Sequence, residues 1–159
     1  MDQDSNVQYQ QQPYQQPYQQ PYQPAYQAPQ EQLRTDYSLA KVILLSLVTF
    51  GIYTLVFQYR LIRDINVTAA GDGKKTTGLF AMILLSLVTF GIYGIVWQVM
   101  FIQRVENENK RRNTGVSFGL MEWIIFAILL SWTIVCPLIF LHKQIQAFNA
   151  INASYNAYG

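Results

Sequence analysis

The sequence has very little of what a soluble enzyme is built from. Of its 159 residues only 13% are charged, about half of the ~25% usual in soluble domains. It has one cysteine, Cys136, and one histidine, His142. A single cysteine excludes an intramolecular disulfide framework and a cysteine-rich metal site, and a single histidine excludes a pair of histidine ligands. The net charge of +2 is too small to indicate a nucleic-acid partner.

The chain divides instead into two parts of opposite composition. Residues 1–32 contain 13 Gln, 5 Pro and 5 Tyr, so this segment cannot bury enough apolar surface to offset the entropy lost on ordering. The repeated Pro-Tyr-Gln-Gln predicts a disordered tail over residues 1–36, with polyproline II character. Such a tail is either a solvated tether or a segment that engages a binding partner. The mean hydropathy of +0.10 averages this tail with a strongly apolar remainder.

Three runs without charge follow the tail, at residues 42–59, 76–103 and 123–142. A helix that crosses ~30 Å of hydrocarbon needs ~20 residues, and none of these runs has the polar face of a helix packed on a soluble core. The runs therefore predict membrane insertion, in segments of about 42–59, 78–102 and 121–142. They lie within a membrane domain at 37–152, which a C-terminal tail at 153–159 follows.

The first two runs are copies of each other. The peptide ILLSLVTFGIY occurs at 43–53 and again at 83–93, a period of 40, and a worn third copy starts at Ile128. Each copy ends in an asparagine after a polar stretch (Asn66, Asn107 and Asn149). Each also carries a residue that weakens a helix in its interior. We assign a structural role to these positions and to the threonines and tyrosines beside them: Thr49, Gly51, Tyr53, Thr89, Gly91, Tyr93 and Pro137.

Two architectures fit this pattern. Each segment is either one spanning helix kinked at Gly51, Gly91 or Pro137, or a helical hairpin that dips into the bilayer and returns. Three spans would divide the basic residues into six on one side and five on the other, whereas the positive-inside rule requires an asymmetry. Hairpins would place all eleven on one face. Because hairpins this short are rare, we expect three spanning helices, with the hairpins as the alternative.

The repeated motif resembles the bacterial membrane family known as domain of unknown function 4234. The resemblance covers roughly residues 37–149 and rests on two sets of residues. They are Leu44, Leu45, Ser46, Thr49, Gly51, Ile52, Tyr53, Arg60, Asp64 and Asn66, and then Leu84, Leu85, Ser86, Thr89, Gly91, Ile92, Tyr93 and Trp97. The second copy departs from the motif, with Met100 where the first has Arg60. The resemblance implies a small integral membrane protein, without an established activity or substrate.

The runs carry no convergent set of nucleophile, acid, base or metal ligand. Ser46, Ser86, Cys136, His142 and Glu122 are each better explained by packing or by an interfacial position. We therefore predict no catalytic residue, no metal and no cofactor. The basic residues beside the runs favour anionic lipid, and the candidates for headgroup contact are Arg60, Arg63, Lys110, Arg111 and Arg112.

Together these observations predict an all-α integral membrane protein of the bacterial plasma membrane, multi-pass and without enzymatic activity. We expect it to act as a membrane scaffold or adaptor. The expected partners are the lipid bilayer, a second copy or another membrane protein, and a protein that binds the tail. The alternative is an oligomeric transporter or channel component, because internal repeats with broken helices are typical of transporters.

Overall fold

The chain folds into three helical hairpins. The computed structural model describes residues 31–129, 132–133 and 135–159, and the predicted tail up to residue 30 lies outside them. The first hairpin pairs α1 (Leu39–Val48) with α2 (Ile52–Thr68), and the second pairs α3 (Leu79–Val88) with α4 (Ile92–Arg111). In the third, α5 (Leu120–Glu122) continues as a π-helix (Trp123–Leu129) and packs against α6 (Val135–Tyr158). A 3-10 turn (Ala70–Asp72) follows α2.

The predicted spanning helices are wrong. Among the described residues, none of the helices is both long enough and apolar enough to reach across a bilayer. Gly51 and Gly91 are not kinks within a helix, because the chain reverses at each of them and a second helix starts at the next residue. Pro137 does not kink a helix either. It lies in the first turn of α6, where a missing backbone N–H costs nothing.

Consecutive left-handed residues make the reversals possible. Phe50 and Gly51 have φ of 50° and 88°, and Phe90 and Gly91 have φ of 52° and 89°. This geometry lets the Gly51 N–H donate to the Ser46 carbonyl at 2.7 Å, which satisfies a carbonyl of the last turn of α1. Glycine adopts such a φ without a steric penalty. The repeated Phe-Gly is therefore a helix terminator that starts a return helix.

The three long helices α2, α4 and α6 bury the same positions. Relative to the first buried aromatic of each helix, the buried residues recur at steps of 4, 5, 7, 8 and 11 residues along the chain. The sets are Phe57, Leu61, Ile62, Asp64, Ile65 and Thr68; Trp97, Phe101, Ile102, Arg104, Val105 and Glu108; and Phe140, Gln144, Ile145, Ala147, Phe148 and Ile151. This spacing gives each helix a single buried stripe. The core is thus a three-helix bundle with internal threefold pseudosymmetry.

The long helices run parallel. The Arg112 guanidinium of α4 lies over the Tyr155 ring of α6, 5.5 Å from its centroid, and these two residues are equivalent in the shared spacing. Further toward the turns, Phe101 and Phe148 stack with centroids 6.0 Å apart. Since α2 and α4 begin just after their turns and α6 begins at Val135, parallel packing places the two turns and the start of α6 at one end of the bundle.

Each long helix also clamps the segment that leads into another hairpin. Asn66 of α2 forms two hydrogen bonds with the backbone of Thr76, and Asn149 of α6 forms two with the backbone of Tyr37. In α4 the equivalent residue is Glu106, which accepts the Leu120 N–H at 3.1 Å. The three clamps form a closed ring. The asparagine that ends the second sequence copy, Asn107, is not part of it.

Candidate functional site

The turn end of the bundle exposes a group of large apolar side chains. Phe50 and Phe90, at the centres of the first two turns, are each 98% exposed, although phenylalanine is normally among the most buried residues. The other exposed apolar side chains beside the turns are Leu47, Val48, Ile52, Leu87, Val88, Ile92, Trp132 and Val135. We call these ten side chains the turn face. A contiguous exposed apolar surface of this kind marks a binding surface for protein or membrane.

The repeated threonine holds each turn together. The Thr49 hydroxyl donates to the Leu45 carbonyl at 2.6 Å and accepts the Tyr53 N–H at 2.9 Å, so it joins the end of α1 to the start of α2. Thr89 makes the equivalent bonds in the second hairpin. The threonine thereby satisfies one of the unpaired donors in the first turn of the return helix. This geometry supplies a physical reason for the Thr-Phe-Gly of both copies.

The two identical peptides differ in what faces their serine. In the first hairpin the hydroxyls of Ser46 and Thr54 share a hydrogen bond of 2.8 Å between α1 and α2. In the second hairpin Gly94 replaces the threonine, and the Ser86 hydroxyl donates to the Met82 sulfur at 3.7 Å. A Cβ at position 94 would lie only 2.9 Å from the Ser86 Oγ. The second hairpin therefore has closer helix packing and one polar contact fewer between its helices.

The tyrosines of the repeat point into the hairpins rather than to the turn face. Tyr53 and Tyr93 pack against the hydrophobic core. The Tyr93 hydroxyl also donates to the Thr77 hydroxyl at 3.3 Å. The Trp97 indole, one turn further along α4, donates to the Thr77 carbonyl at 3.0 Å. The two aromatic side chains therefore fix the start of α3 against α4.

The basic residues proposed for headgroup contact are not gathered into one free patch. Arg111 and Arg112 both bind the buried Glu108 carboxylate, and both donate to the Thr68 carbonyl. The hydrogen bonds that Arg111 donates to Glu108 raise the pKa of the Arg111 guanidinium. Lys110 pairs with Glu106 at 2.6 Å, and this hydrogen bond lowers the pKa of the Glu106 carboxyl. Arg111 and Arg112 thus join the end of α4 to the end of α2, whereas Lys110 pairs within α4.

The other two proposed cations, Arg60 and Arg63, lie on α2. In space they lie close to residues 31–37, at which the described chain starts. Arg63 pairs with Glu31 at 3.4 Å and with the buried Asp64 at 3.5 Å. Arg60 is half-buried and close enough to Tyr37 to act on it electrostatically. Both arginines therefore border the segment that precedes α1.

Asp64 is a fully buried carboxylate beside the clamp that Asn149 forms with Tyr37. It accepts the Tyr37 hydroxyl at 2.7 Å and the Asn152 side-chain amide at 2.8 Å. Burial of the Tyr37 ring, reinforced by its hydrogen bond to Asp64, raises the pKa of the phenol above its usual range. The Asp64 site is therefore a structural network, in which the buried Asn152 Oδ1 alone has no hydrogen-bond partner among the described residues.

Arg104 is a buried, extensively hydrogen-bonded arginine that the sequence does not single out. It is 8% exposed, and its five N–H groups face six acceptors in and around the loop after α2. The Nε–Oδ2 distance to Asp72 is 2.8 Å. Partial desolvation of Asp72 is outweighed by the hydrogen bonds from Arg104 and the Lys74 N–H, which lower the pKa of this carboxyl. Arg104 therefore fixes this loop in one conformation.

The remaining candidates of the sequence lie apart from one another. Glu122 accepts the Ser117 hydroxyl and lies 4.0 Å from the Lys143 ammonium, while the Cys136 N–H donates to the Thr133 hydroxyl at the start of α6. Within the described ranges, no three His, Cys, Asp or Glu side chains are grouped so that they could hold a metal ion. The feature that calls for a functional explanation is therefore the turn face.

Comparison with known proteins gives one match. The sequence profile of a family described as a domain of unknown function (DUF4234) matches residues 37–107 and again residues 77–152. The two matches begin 40 residues apart, which is the period of the internal repeat. No curated protein and no solved structure matches the chain.

Proposed function

The chain belongs to the family of domain of unknown function 4234, and from this premise we propose that it is a non-catalytic scaffold held on a membrane by its turn face. In this proposal the three hairpin turns insert into one leaflet, and the long helices stand above it. The observation that carries the proposal is the near-complete exposure of Phe50 and Phe90 at the same end of the bundle.

The uncharged helix lengths beside the turns support insertion into a single leaflet. From Lys41 to Thr49 and from Gly51 to Arg60 the helices rise about 12 and 14 Å, at ~1.5 Å per residue. From Val135 to Lys143 the rise is also about 12 Å. One leaflet contributes about half of a ~30 Å hydrocarbon core. The apolar reach of the first hairpin and of α6 therefore fits one leaflet, with their first charges at the headgroups. In α4 the uncharged stretch from Gly91 to Arg104 rises about 20 Å and would extend into the headgroup region.

The charge distribution supports the same arrangement. Each of the eleven Lys and Arg residues is separated from the turns by an uncharged stretch of helix. Three spans would divide the basic residues almost evenly between the two sides of the membrane. Insertion into one leaflet does not. All basic residues face the same aqueous side, as the positive-inside rule favours. We propose that this side is the cytoplasm and the membrane the bacterial plasma membrane.

The scaffold part of the proposal rests on the N-terminal tail. Its Gln, Pro and Tyr composition suits a tether or a partner-binding segment. Leu33, close to the end of this tail, exchanges two backbone hydrogen bonds with Asn156 of α6. The tail would therefore leave the bundle far from the turn face. In this position it would be presented to soluble partners rather than to lipid.

Flotation with lipid vesicles tests the anchoring. Wild type should float with phosphatidylcholine vesicles, and Phe50→Asp/Phe90→Asp should lose at least about 100-fold in partitioning, because two exposed phenylalanines contribute ~1.5–3 kcal/mol each when they leave water. Tyr158→Asp is the matched control, since it changes an exposed aromatic at the other end of α6 and should float like wild type. Equal flotation of all three proteins would refute anchoring by the turn face.

Thiol labelling tests the sidedness. In a Cys136→Ser background, single cysteines at Ala70, Lys110 and Tyr158 all lie on exposed positions. One-leaflet insertion predicts that an impermeant reagent reaches all three from the same side of the membrane. Protection of Lys110 alone would require a crossing between the positions and would contradict the proposal. The transporter alternative stays a prediction, which ion flux through reconstituted vesicles would test.

A further inference from the structure

A cleft lies between the loop that follows α2 and the outer face of α4. Its volume is about 370 Å³, within the ~300–1,000 Å³ typical of ligand sites. Tyr93, Trp97 and Met100 form an apolar wall, and Lys74 and Lys75 stand on the opposite, polar wall. Met100 is 64% exposed and Tyr93 is half-buried, whereas Trp97 lies behind them at 4% exposure, so a ligand would contact this wall through Met100 and Tyr93. The cleft therefore combines a hydrocarbon surface with a cationic one.

The cationic wall is held in place before any ligand binds. Arg104 donates to the Lys74 carbonyl at 2.6 Å and to the Thr76 hydroxyl at 2.8 Å. Asn66 pairs with the Thr76 backbone in both directions. The backbone that carries both lysines is thus fixed to α2 and α4. A site whose loop is already ordered binds with a smaller entropic penalty.

The balance of charge in the cleft favours an anion. Four cations line it (Lys74, Lys75, Arg104 and Arg111), against two carboxylates, Asp72 and Glu108, for a net charge of +2. Both carboxylates are already paired, Asp72 with Arg104 and Glu108 with Arg111. The ion pairs of the described residues include neither Lys74 nor Lys75, although Lys74 is close enough to Asp72 to help lower its pKa. The two ammonium groups are therefore the cations without a direct carboxylate partner that a ligand could use.

We infer that this cleft binds an anionic phospholipid, with the phosphate against Lys74 and Lys75 and a hydrocarbon chain along Tyr93 and Met100. A free phosphate would satisfy the lysines but not the apolar wall, and a zwitterionic lipid would satisfy the wall but bring its own cation to the lysines. This inference goes beyond leaflet anchoring and does not depend on it, because the lipid can be offered to the protein in a micelle.

Calorimetric titration of the full chain in micelles of a neutral maltoside tests the inference. The probes are short-chain phosphatidylglycerol, phosphatidylcholine of the same chain length, and inorganic phosphate. Phosphatidylglycerol should bind at least about tenfold more tightly than either of the others, because only it engages both walls. Equal affinity for the two lipids would overturn the inference. Phosphate that binds as tightly as phosphatidylglycerol would also overturn it and assign the cleft to a free anion.

Variants locate the binding. Lys74→Ala/Lys75→Ala should weaken phosphatidylglycerol binding about 25-fold, at about fivefold per basic residue. Arg34→Ala/Lys41→Ala removes the same charge outside the cleft, at two exposed side chains that pair only with Asp36, and should bind like wild type. Lys74→Met/Lys75→Met keeps the length of the side chains, and unchanged affinity in this folded variant would overturn the inference. Met100→Gln should weaken phosphatidylglycerol about fivefold and leave phosphate unchanged.

A further variant separates this inference from the anchoring proposal. Phe50→Asp/Phe90→Asp changes the turn face and leaves the residues that line the cleft intact. It should therefore bind phosphatidylglycerol in micelles with the affinity of wild type. Binding that disappears in this variant, while its helical content is unchanged, would show that the lipid binds to the turn face and not to the cleft.

Discussion

Asp64 and Arg104 occupy the same position on two successive long helices, 40 residues apart, and carry opposite charges. Each is buried, and each bonds to the segment that leads into a hairpin: Asp64 to the Tyr37 hydroxyl, and Arg104 to the loop that contains Asp72. The third long helix has Ala147 at this position. The copies of the repeat therefore share one backbone arrangement, but the buried side chain that holds the incoming segment is an acid in the first copy and a base in the second.

Replacement of Arg104 should release the loop after α2. In Arg104→Gln the Asp72 carboxylate and the Lys74 carbonyl lose their donor, so we expect the free energy of unfolding to fall by about 2–3 kcal/mol. Denaturant titration in a mild detergent, monitored by circular dichroism, measures this free energy of unfolding. The exposed neighbour Gln103 supplies the control, since Gln103→Ala should change it by less than ~0.5 kcal/mol. An Arg104 variant as stable as this control would disprove the role of the arginine.

Tyr37 should make the stability depend on alkaline pH. Its pKa is raised in the folded state, so its contribution is fully present below the unfolded pKa of ~10 and is lost as the pH rises through the higher folded-state pKa. Tyr37→Phe removes the hydrogen bond to Asp64 and should cost about 1–2 kcal/mol at neutral pH. The difference from wild type should narrow above about pH 10. A constant difference between pH 7 and 11, or an equal effect of the exposed Tyr158→Phe, would speak against this mechanism.

The turn glycine should tolerate no side chain. Gly51 has φ of 88°, so Gly51→Ala places a Cβ in a left-handed conformation. We expect this substitution to cost about 1–2 kcal/mol. Gly78 has φ of −63° and open space at its Cβ, so Gly78→Ala should be neutral or stabilise by up to ~1 kcal/mol. Thermal unfolding of the two variants side by side gives the comparison, and similar melting temperatures would contradict the assigned turn geometry.

The turn threonine should be replaceable by serine but not by valine. Thr89→Val keeps the shape of the side chain but removes the hydroxyl that joins Leu85 to Tyr93. It should cost about 1 kcal/mol, as the loss of a helix cap does, whereas Thr89→Ser should cost only a few tenths. Amide hydrogen exchange at Tyr93 reports on the bond directly, because its N–H would lose its acceptor. Equal exchange in both variants would rule out the cap.

The sequence was sufficient for the helices and for the repeat, but not for the direction of the chain at the turns. Both a kink and a reversal use a glycine after an apolar helix, and the difference lies in the preceding residue. Phe50 has φ of 50°, which is rare outside glycine and asparagine and leaves no mark in the sequence. The near-equal division of basic residues was the one sequence signal against spanning helices. Three spans would place similar numbers of Lys and Arg on the two sides, whereas the positive-inside rule requires an excess on one side.

The internal polar network was harder to predict than the core. The spacing of the apolar residues in α2 and α4 marks a buried stripe, and the structure buries that stripe. Arg104 lies in the same stripe, but its partners are backbone carbonyls and the side chains of a loop that begins 35 residues earlier. Such acceptors have no pattern of their own. The burial of Arg104 therefore follows only from the packing of the second hairpin against the first.

The clamps between the start of the bundle and α6 determine how the bundle would carry a mechanical load. Leu33, Arg34 and Tyr37 bond to Asn156, Asn152 and Asn149 in turn, so the chain runs antiparallel to the last helix. Tension applied through the tail would therefore reach α6 before it reaches α1. The hairpin turns, at the opposite end, would feel it last. A partner could therefore pull on the tail and strain the hydrogen bonds of the three asparagines, while the proposed contact of the turn face with the membrane stays unchanged.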